Sequence, residues 1–341
     1  MADALSMDGG GADQGGGGAA ASFSALRGLA GAAADDVAML AAAVARCGPS
    51  ASCSAPSRLT PVGAPLEAAV VWPAPGLRVS LDPCPDASPD VRVRSCRTDI
   101  AQPFTAEQTD VMARVALWRK DHPGRYGAWL GLRVADGDLR KKLYLDVPQG
   151  CCWETFEAQT VGAPAVLPHR QIRLTMIGLD PVSGGVELYY RCGRLFPPEI
   201  DTLLRRFALA ERGAEVVDFI AALTQRTVRF ELPSFDMGFS CAFDAQGRAR
   251  VFTWYSNARA LLGPPERARA ALLRVGSEAG WPMADYEALS RPDAQGRVPE
   301  HGLVGVMLAD GHPMQATATV ALAPPDAAVP RAAIASEACH A

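Results

Sequence analysis

Cationic and aromatic side chains recur two residues apart in four short stretches of the chain. Arg140, Lys142 and Tyr144 form one set, and Arg78, Ser80 and Asp82 a second. Glu187, Tyr189 and Arg191 form a third, and Arg248, Arg250, Phe252 and Trp254 a fourth. In an extended chain, residues two apart share a face. Guanidinium and ammonium groups gathered on one face neutralise a polyanion such as a diphosphate through charge-assisted hydrogen bonds. Aromatic faces beside them stabilise a positive charge that develops next to that anion. Period-two Arg/Lys is equally the pattern of an exposed strand face, and periodicity alone does not say which face lies inside.

Such sets can act together only if strands hold them around one space. The sequence supplies pairs of short apolar or alternating runs separated by turn signals, the mark of hairpins. The pairs are 66–72 with 77–82, 126–134 with 140–147, 171–179 with 186–192, 238–244 with 248–255, and 302–309 with 314–322. Helices are expected at 33–46, 105–121, 198–211, 213–225, 257–276 and 283–290, the second opened by a Thr105-x-x-Gln108 capping box. Segment 150–170 fits neither element. Strands that come in twos between helices give an α+β chain of ten antiparallel strands, not βαβ units. Ten strands in hairpin order can close into a barrel. That barrel is wider than the ~8 strands that side chains alone can fill, which leaves room for a ligand chamber. An open sheet with helices on one face is the competing arrangement.

Composition narrows the partners. The 341 residues carry 33 Lys and Arg against 37 Asp and Glu, a formal charge of −4, which argues against a nucleic-acid binder. No long uncharged apolar run marks a membrane span, and residues 1–24 lack the pattern of a secretory signal. Nine cysteines with no CxxC pairing suit reduced thiols in a cytoplasmic protein. Five scattered histidines give no metal-binding spacing, so no metal site is expected. Lysine occurs only at Lys120, Lys141 and Lys142, so thirty cations are arginine, as a GC-rich coding bias produces. Gly/Ala-rich residues 1–24 and Ala/Pro-rich residues 326–341 read as flexible tails around one domain at 25–325.

Three of the hairpins carry a resemblance. Gly63-Ala-Pro-Leu-Glu67 followed by Arg78-Val-Ser-Leu-Asp82-Pro83 resembles the opening motif of the indole prenyltransferases of the dimethylallyltryptophan synthase type. There a G-x-P-x-E segment precedes an R-x-[ST]-x-[ED]-P strand. Lys142-Leu-Tyr144 running into Pro148 is similar to that family's K-x-Y strand. Asp180 followed by Glu187-Leu-Tyr189 is similar to its D…R-x-K-x-Y hairpin. The resemblance spans roughly residues 35–325 and implies the ten-stranded αββα prenyltransferase barrel.

It also implies an activity: transfer of a dimethylallyl or longer allylic group from its diphosphate to an indole or tryptophan-type acceptor. Glu67 would accept the indole N–H. Arg78, Lys142, Arg250 and Arg140 would bind dimethylallyl or geranyl diphosphate, with no Mg²⁺ needed. Tyr144 and Tyr189 would shield the allylic cation, and Trp254, Phe252 and Glu187 would wall the acceptor site. The chain departs from the family where Gly185 and Glu187 replace two cations, and where Thr317 and Thr319 stand on a strand without tyrosine. The alternatives are the same barrel acting on a phenolic or other aromatic acceptor, and a non-catalytic barrel that binds a small molecule.

Overall fold

The computed structural model describes residues 34–48, 56–60, 62–73, 76–122, 124–135, 137–162, 167 and 169–322. The tails expected at 1–24 and 326–341 lie outside the described residues. Ten strands run β1 (Leu66–Trp72), β2 (Gly76–Leu81), β3 (Ala128–Ala135), β4 (Asp138–Asp146), β5 (Ile172–Asp180), β6 (Gly185–Cys192), β7 (Met237–Phe243), β8 (Ala249–Asn257), β9 (His301–Ala309) and β10 (Gln315–Ala321). Each pairs antiparallel with its neighbours in sequence, and β1 closes on β10, so the sheet is a closed barrel. The open-sheet alternative is thereby excluded.

The helices are α1 (Ala34–Cys47), α2 (Pro89–Asp99), α3 (Ala106–Asp121), α4 (Trp153–Val161), α5 (Pro197–Leu204), α6 (Gly213–Thr224), α7 (Ala258–Leu262), α8 (Pro265–Glu278) and α9 (Ala284–Leu289). Helix α1 precedes β1 and the others lie in the connections between hairpins, so the hairpin turns gather at one end of the barrel and the helical connections at the other. Two helices were not expected. Helix α2 opens with Pro89 at its first turn after Ser88, a start signal hidden in a polar, arginine-rich stretch. Helix α4 occupies part of segment 150–170. The helix expected at 257–276 is broken into α7 and α8 at Gly263-Pro264, because proline has no N–H to continue the ladder. The stretch expected as one helix at 198–211 is α5 followed by two short 3₁₀ turns.

The capping box forms as the sequence requires: Gln108 N donates to Thr105 Oγ1 at 3.2 Å and Thr105 N to Gln108 Oε1 at 3.1 Å. The same Gln108 amide donates to the carbonyls of Asp180 and Gly185, both at 2.9 Å, and pins α3 to the β5–β6 turn.

Alternation along the strands sorts side chains into two layers. The outward rows are apolar and fully buried: Leu143 and Leu145, Leu188 and Tyr190, Phe252 and Trp254, Val304, Val306 and Leu308. Each large side chain taken from water there contributes roughly 1.5–3 kcal/mol. Trp72 on β1 stacks on Trp281 with centroids 5.6 Å apart and meets the edge of Tyr286 at 5.5 Å. The core is thus the shell between barrel and helices. The barrel interior is left for polar side chains.

Candidate active site

The inward rows surround a chamber of about 850 Å³ that runs through the barrel. Its centre is built by β4 and β6. Lys142 and Tyr144 are two residues apart on β4 and face inward, as do Glu187 and Tyr189 on β6. The strand between them, β5, contributes Gly178, whose register partners are Tyr144 on one side and Glu187 on the other. A Cβ at position 178 would stand 2.5 Å from Lys142 Cε and 3.1 Å from its Nζ. Glycine there lets the lysine lie across β5 and reach Glu187, and the two form an ion pair.

The second carboxylate oxygen of Glu187 accepts from Ser240 Oγ at 2.5 Å. Lys142 Nζ also lies 3.4 Å from the Tyr189 hydroxyl, 5.3 Å from the Tyr144 ring centre and 5.6 Å from that of Tyr189. Burial opposes charge on both partners, but their mutual attraction outweighs it: the lysine pKa is raised and the glutamate pKa lowered. The rings of Tyr144 and Tyr189 meet edge to face at 5.8 Å, and Tyr255 on β8 lies 6.4 Å beyond Tyr189. Burial pushes the Tyr189 and Tyr255 phenols well above their usual range, so both stay neutral.

Toward the hairpin-turn end, Arg78, Arg133 and Arg140 line the chamber from neighbouring strands, in direct register across β2, β3 and β4. Arg133 is paired with Asp180 at 3.2 Å. Arg78 has no carboxylate partner among the described residues and touches the Met307 sulfur at 3.9 Å. Arg250 reaches the rim of the same end, but it is exposed and bound to Asp244 of the β7–β8 turn at 2.7 and 2.8 Å. It does not converge with Lys142.

At the opposite end, Glu67 lies on the inward face of β1 and is 8% exposed. Its carboxylate accepts from Thr319 Oγ1 of β10 at 2.6 Å, and Thr319 in turn accepts from Leu303 N at 2.7 Å. Gly302 leaves the room it occupies, since a Cβ there would collide with the carboxylate. The chamber surface reaches Thr319 and Leu303 and stops short of Glu67. Burial pushes the Glu67 pKa from 4.5 up to about 7, against a smaller lowering by Thr319.

The expectation that Phe252 and Trp254 wall the chamber is corrected. Both point outward and are 0% exposed, with Phe252 packed on Phe207 and Phe239. The inward residues of β8 are Val251, Thr253, Tyr255 and Asn257. Asp82 likewise leaves the inward face; it lies beyond β2, buried against Ser57 at 2.8 Å and Arg92 at 3.3 Å.

Several inward residues escaped sequence reasoning. Tyr255 had a signal in Gly238, its register partner, where a Cβ would stand 2.6 Å from the phenol oxygen. Trp129 lines the chamber with Tyr126 stacked on it at 3.7 Å. Arg125 and Arg173 gather near the Glu67 end, beside Arg191, which the sequence already sets with Glu187 and Tyr189. With its amide turned oxygen-first, Gln149 accepts from Arg173 Nη1 at 3.0 Å and Arg125 Nη2 at 2.9 Å. Burial, then the neighbouring Arg125 and Arg191, lower the pKa of Arg173. Arg191 is paired with Asp236.

The site thus offers Arg78, Arg133 and Arg140 at one end, a belt of three tyrosines in the middle, and at the other end a buried carboxyl with a second group of arginines. Among the described residues, no helix is long and apolar enough to cross a membrane. No protein-family model and no curated protein matches the sequence. Solved structures do match. The chain is 19% identical to the prenyltransferase PriB in its ternary complex with L-tryptophan and dimethylallyl thiolodiphosphate. That match covers 92% of this chain and 98% of PriB, with a TM-score of 0.72. It is 18% identical to 6-dimethylallyltryptophan synthase from Micromonospora olivasterospora, over 89% of this chain and 95% of that one, with a TM-score of 0.66. For 5-dimethylallyltryptophan synthase from Streptomyces coelicolor the values are 19%, 90%, 96% and 0.62. At these identities the likeness is one of architecture, and the chain carries the ten-stranded prenyltransferase-barrel fold of these structures.

Proposed function

We propose that the protein is an aromatic prenyltransferase that moves a dimethylallyl group, or a longer allylic group, from its diphosphate to an indole acceptor. The observation that carries this reading is the convergence of Lys142, Tyr144 and Tyr189 on one enclosed space, with Arg78 and Arg140 above them. PriB and 6-dimethylallyltryptophan synthase, which share this barrel, are each solved in complex with tryptophan and a dimethylallyl diphosphate analogue.

In this reading Arg78, Arg140 and Lys142 take the charge of the departing diphosphate as the allylic C–O bond breaks. Fixed cations in a low-dielectric chamber oppose that charge without reorganising. The ring faces of Tyr144, Tyr189 and Tyr255 flank the carbocation and keep water from it. The aromatic carbon attacks, a C–C bond forms, and the ring carbon then gives up its proton to the departed diphosphate, which restores the aromatic ring. Glu67, behind Thr319 at the chamber wall, ionises and turns into the chamber to accept the indole N–H, which fixes the carbon that faces the cation. Arg125 and Arg173 suit a carboxylate on the acceptor, as on tryptophan. Because side chains supply the positive charge, transfer proceeds without Mg²⁺. The seven free cysteines among the described residues suit a reducing, cytoplasmic setting.

The test is incubation with dimethylallyl or geranyl diphosphate and tryptophan, simple indoles and phenols, with EDTA present, read by mass for one added isoprenoid unit. A product with indoles supports the reading. Product with phenols alone moves the acceptor class. The Lys142–Glu187 pair favours one second reading, a non-catalytic small-molecule-binding barrel, because the central lysine is already neutralised. Absence of product with every donor selects it.

A further inference from the structure

Lys142 is the central cation of the chamber, and it is already answered by a carboxylate of its own chain. Glu187 sits where an anion bound to Lys142 would place an oxygen. The contact is built in: Gly178 clears the path of the lysine across β5, and Ser240 holds the other carboxylate oxygen at 2.5 Å. Both tyrosine rings flank the ammonium group, so its one charged partner among the described residues is Glu187.

A diphosphate that approaches Lys142 therefore meets a like charge in a poorly solvated place, where repulsion between neighbouring charges is several times its value in water. Both charges cannot remain beside one lysine. An ionised Glu187 left without Lys142 would be an uncompensated charge on a half-buried side chain, which is disfavoured. Protonation of Glu187 removes both problems, since a neutral carboxyl can donate to a phosphate oxygen while Ser240 still bonds to it.

We propose that Glu187 is a displaceable counter-ion for Lys142, so that a diphosphate enters the chamber only with uptake of one proton at Glu187. This rests on the diphosphate reading of the chamber given above, and makes Glu187 the residue that sets donor affinity. The groups facing it are Lys142 and Tyr144 from β4, Asp180 from β5, Tyr189 from its own strand, and Ser240 from β7. Arg78 and Tyr255 face it across the chamber. Asp180 is already paired with Arg133. In the unliganded chamber Lys142 keeps Glu187 ionised at neutral pH, so the proton must come from solvent when the anion arrives.

The test is isothermal titration of the full chain with inorganic pyrophosphate at about pH 6, 7 and 8, each in two buffers of different ionisation enthalpy, for the wild type and Glu187→Gln. Titration of pyrophosphate itself is common to both proteins and cancels in the comparison. The wild type takes up about one proton more than the variant, and its affinity relative to the variant falls roughly tenfold per pH unit on going up in pH. At about pH 8 the variant binds at least about tenfold more tightly. Equal proton uptake by the two proteins, or a variant that binds no tighter, overturns the proposal. Should Glu187→Gln fold poorly, Lys142→Gln serves: it abolishes the extra proton uptake and weakens binding, and unchanged uptake overturns the proposal equally. Pyrophosphate titration reads the anion site without transfer chemistry. Extra proton uptake without any prenylated product refutes the transferase reading and keeps this one, and product without extra uptake does the reverse.

Discussion

Replacing Glu67 with glutamine separates the stability of this protein from its activity in opposite directions. Burial raises the carboxyl from 4.5 to about 7, so the folded state prefers the protonated form. A pKa difference of about 2.5 units at about 1.36 kcal/mol each amounts to about 3 kcal/mol, an upper bound because the chain can relax. The sign follows from the direction of the shift. Below pH 4.5 the group is protonated in both states and imposes nothing. Between 4.5 and about 7 the unfolded chain ionises first and the folded state loses ground, and above about 7 the full amount is present. Glutamine keeps an oxygen for Thr319 and carries no charge. Glu67→Gln is therefore more stable than wild type by up to about 3 kcal/mol at about pH 9, and equal to it near pH 4. Guanidinium unfolding followed by circular dichroism across that range measures the difference. Transfer to indole moves the other way: a neutral amide oxygen replaces a charge-assisted acceptor, and the rate falls at least about tenfold. In the wild type that rate rises with pH through about 7 as the carboxylate forms. A stability difference that does not vary with pH, or a variant with full indole turnover, refutes the reasoning.

Other substitutions read the remaining parts. Arg78→Ala weakens pyrophosphate binding by roughly 10- to 100-fold, the loss of a charged hydrogen bond, whereas Arg250→Ala, exposed and tied to Asp244, changes it less than about twofold. Titration of the two variants side by side checks the contrast. Tyr144→Phe keeps a ring against the carbocation and most of the rate. Tyr144→Leu removes it, and the ratio of prenyl alcohol to prenylated acceptor rises about tenfold by chromatography. Gly238→Ala drives a methyl group into the Tyr190 carbonyl and the Tyr255 phenol, and lowers stability by about 1–3 kcal/mol in denaturant titration.

Most of the barrel is written in local patterns. Turn signals bracket each hairpin, and the Thr105–Gln108 box forms as spelled out. What failed was the face of β8. In a sheet with one wet side, polar residues mark the outside; here helices cover the outside and the wet side is the chamber, so both faces of a strand are enclosed. Phe252 and Trp254 alternate with Thr253 and Tyr255, and either row could pack a core. A shift in register between Ala242 and Phe243 places both Arg250 and Val251 at the rim, so the arginine does not report the phase of the strand. On β4 the phase was readable, because Leu143 and Leu145 are apolar and Lys142 and Tyr144 are not. The Arg125, Arg173 and Gln149 group was not, since it joins a loop, a strand start and a second loop with no common spacing. Helix α2 lay hidden because it buries only Arg92 and Cys96 and so shows no apolar stripe, and Arg92 is buried through hydrogen bonds to carbonyl groups rather than through apolar packing.

The seam between β1 and β10 carries a consequence for the order in which the molecule is made. Glu67 and Thr319 stand 252 residues apart and touch across that seam. Each hairpin pairs neighbours in sequence and can form early. The seam is the contact of greatest sequence separation, and closing so long a loop is slow. On a ribosome, the nine preceding strands emerge before the one that seals the wall. Until β10 docks, β1 and β9 are bare edges able to pair with another chain. The carboxyl of Glu67 then has neither its threonine nor its burial, and titrates as an ordinary acid. Closure of the seam therefore creates the chamber and the altered acidity of Glu67 in the same event, so an unsealed chain has neither.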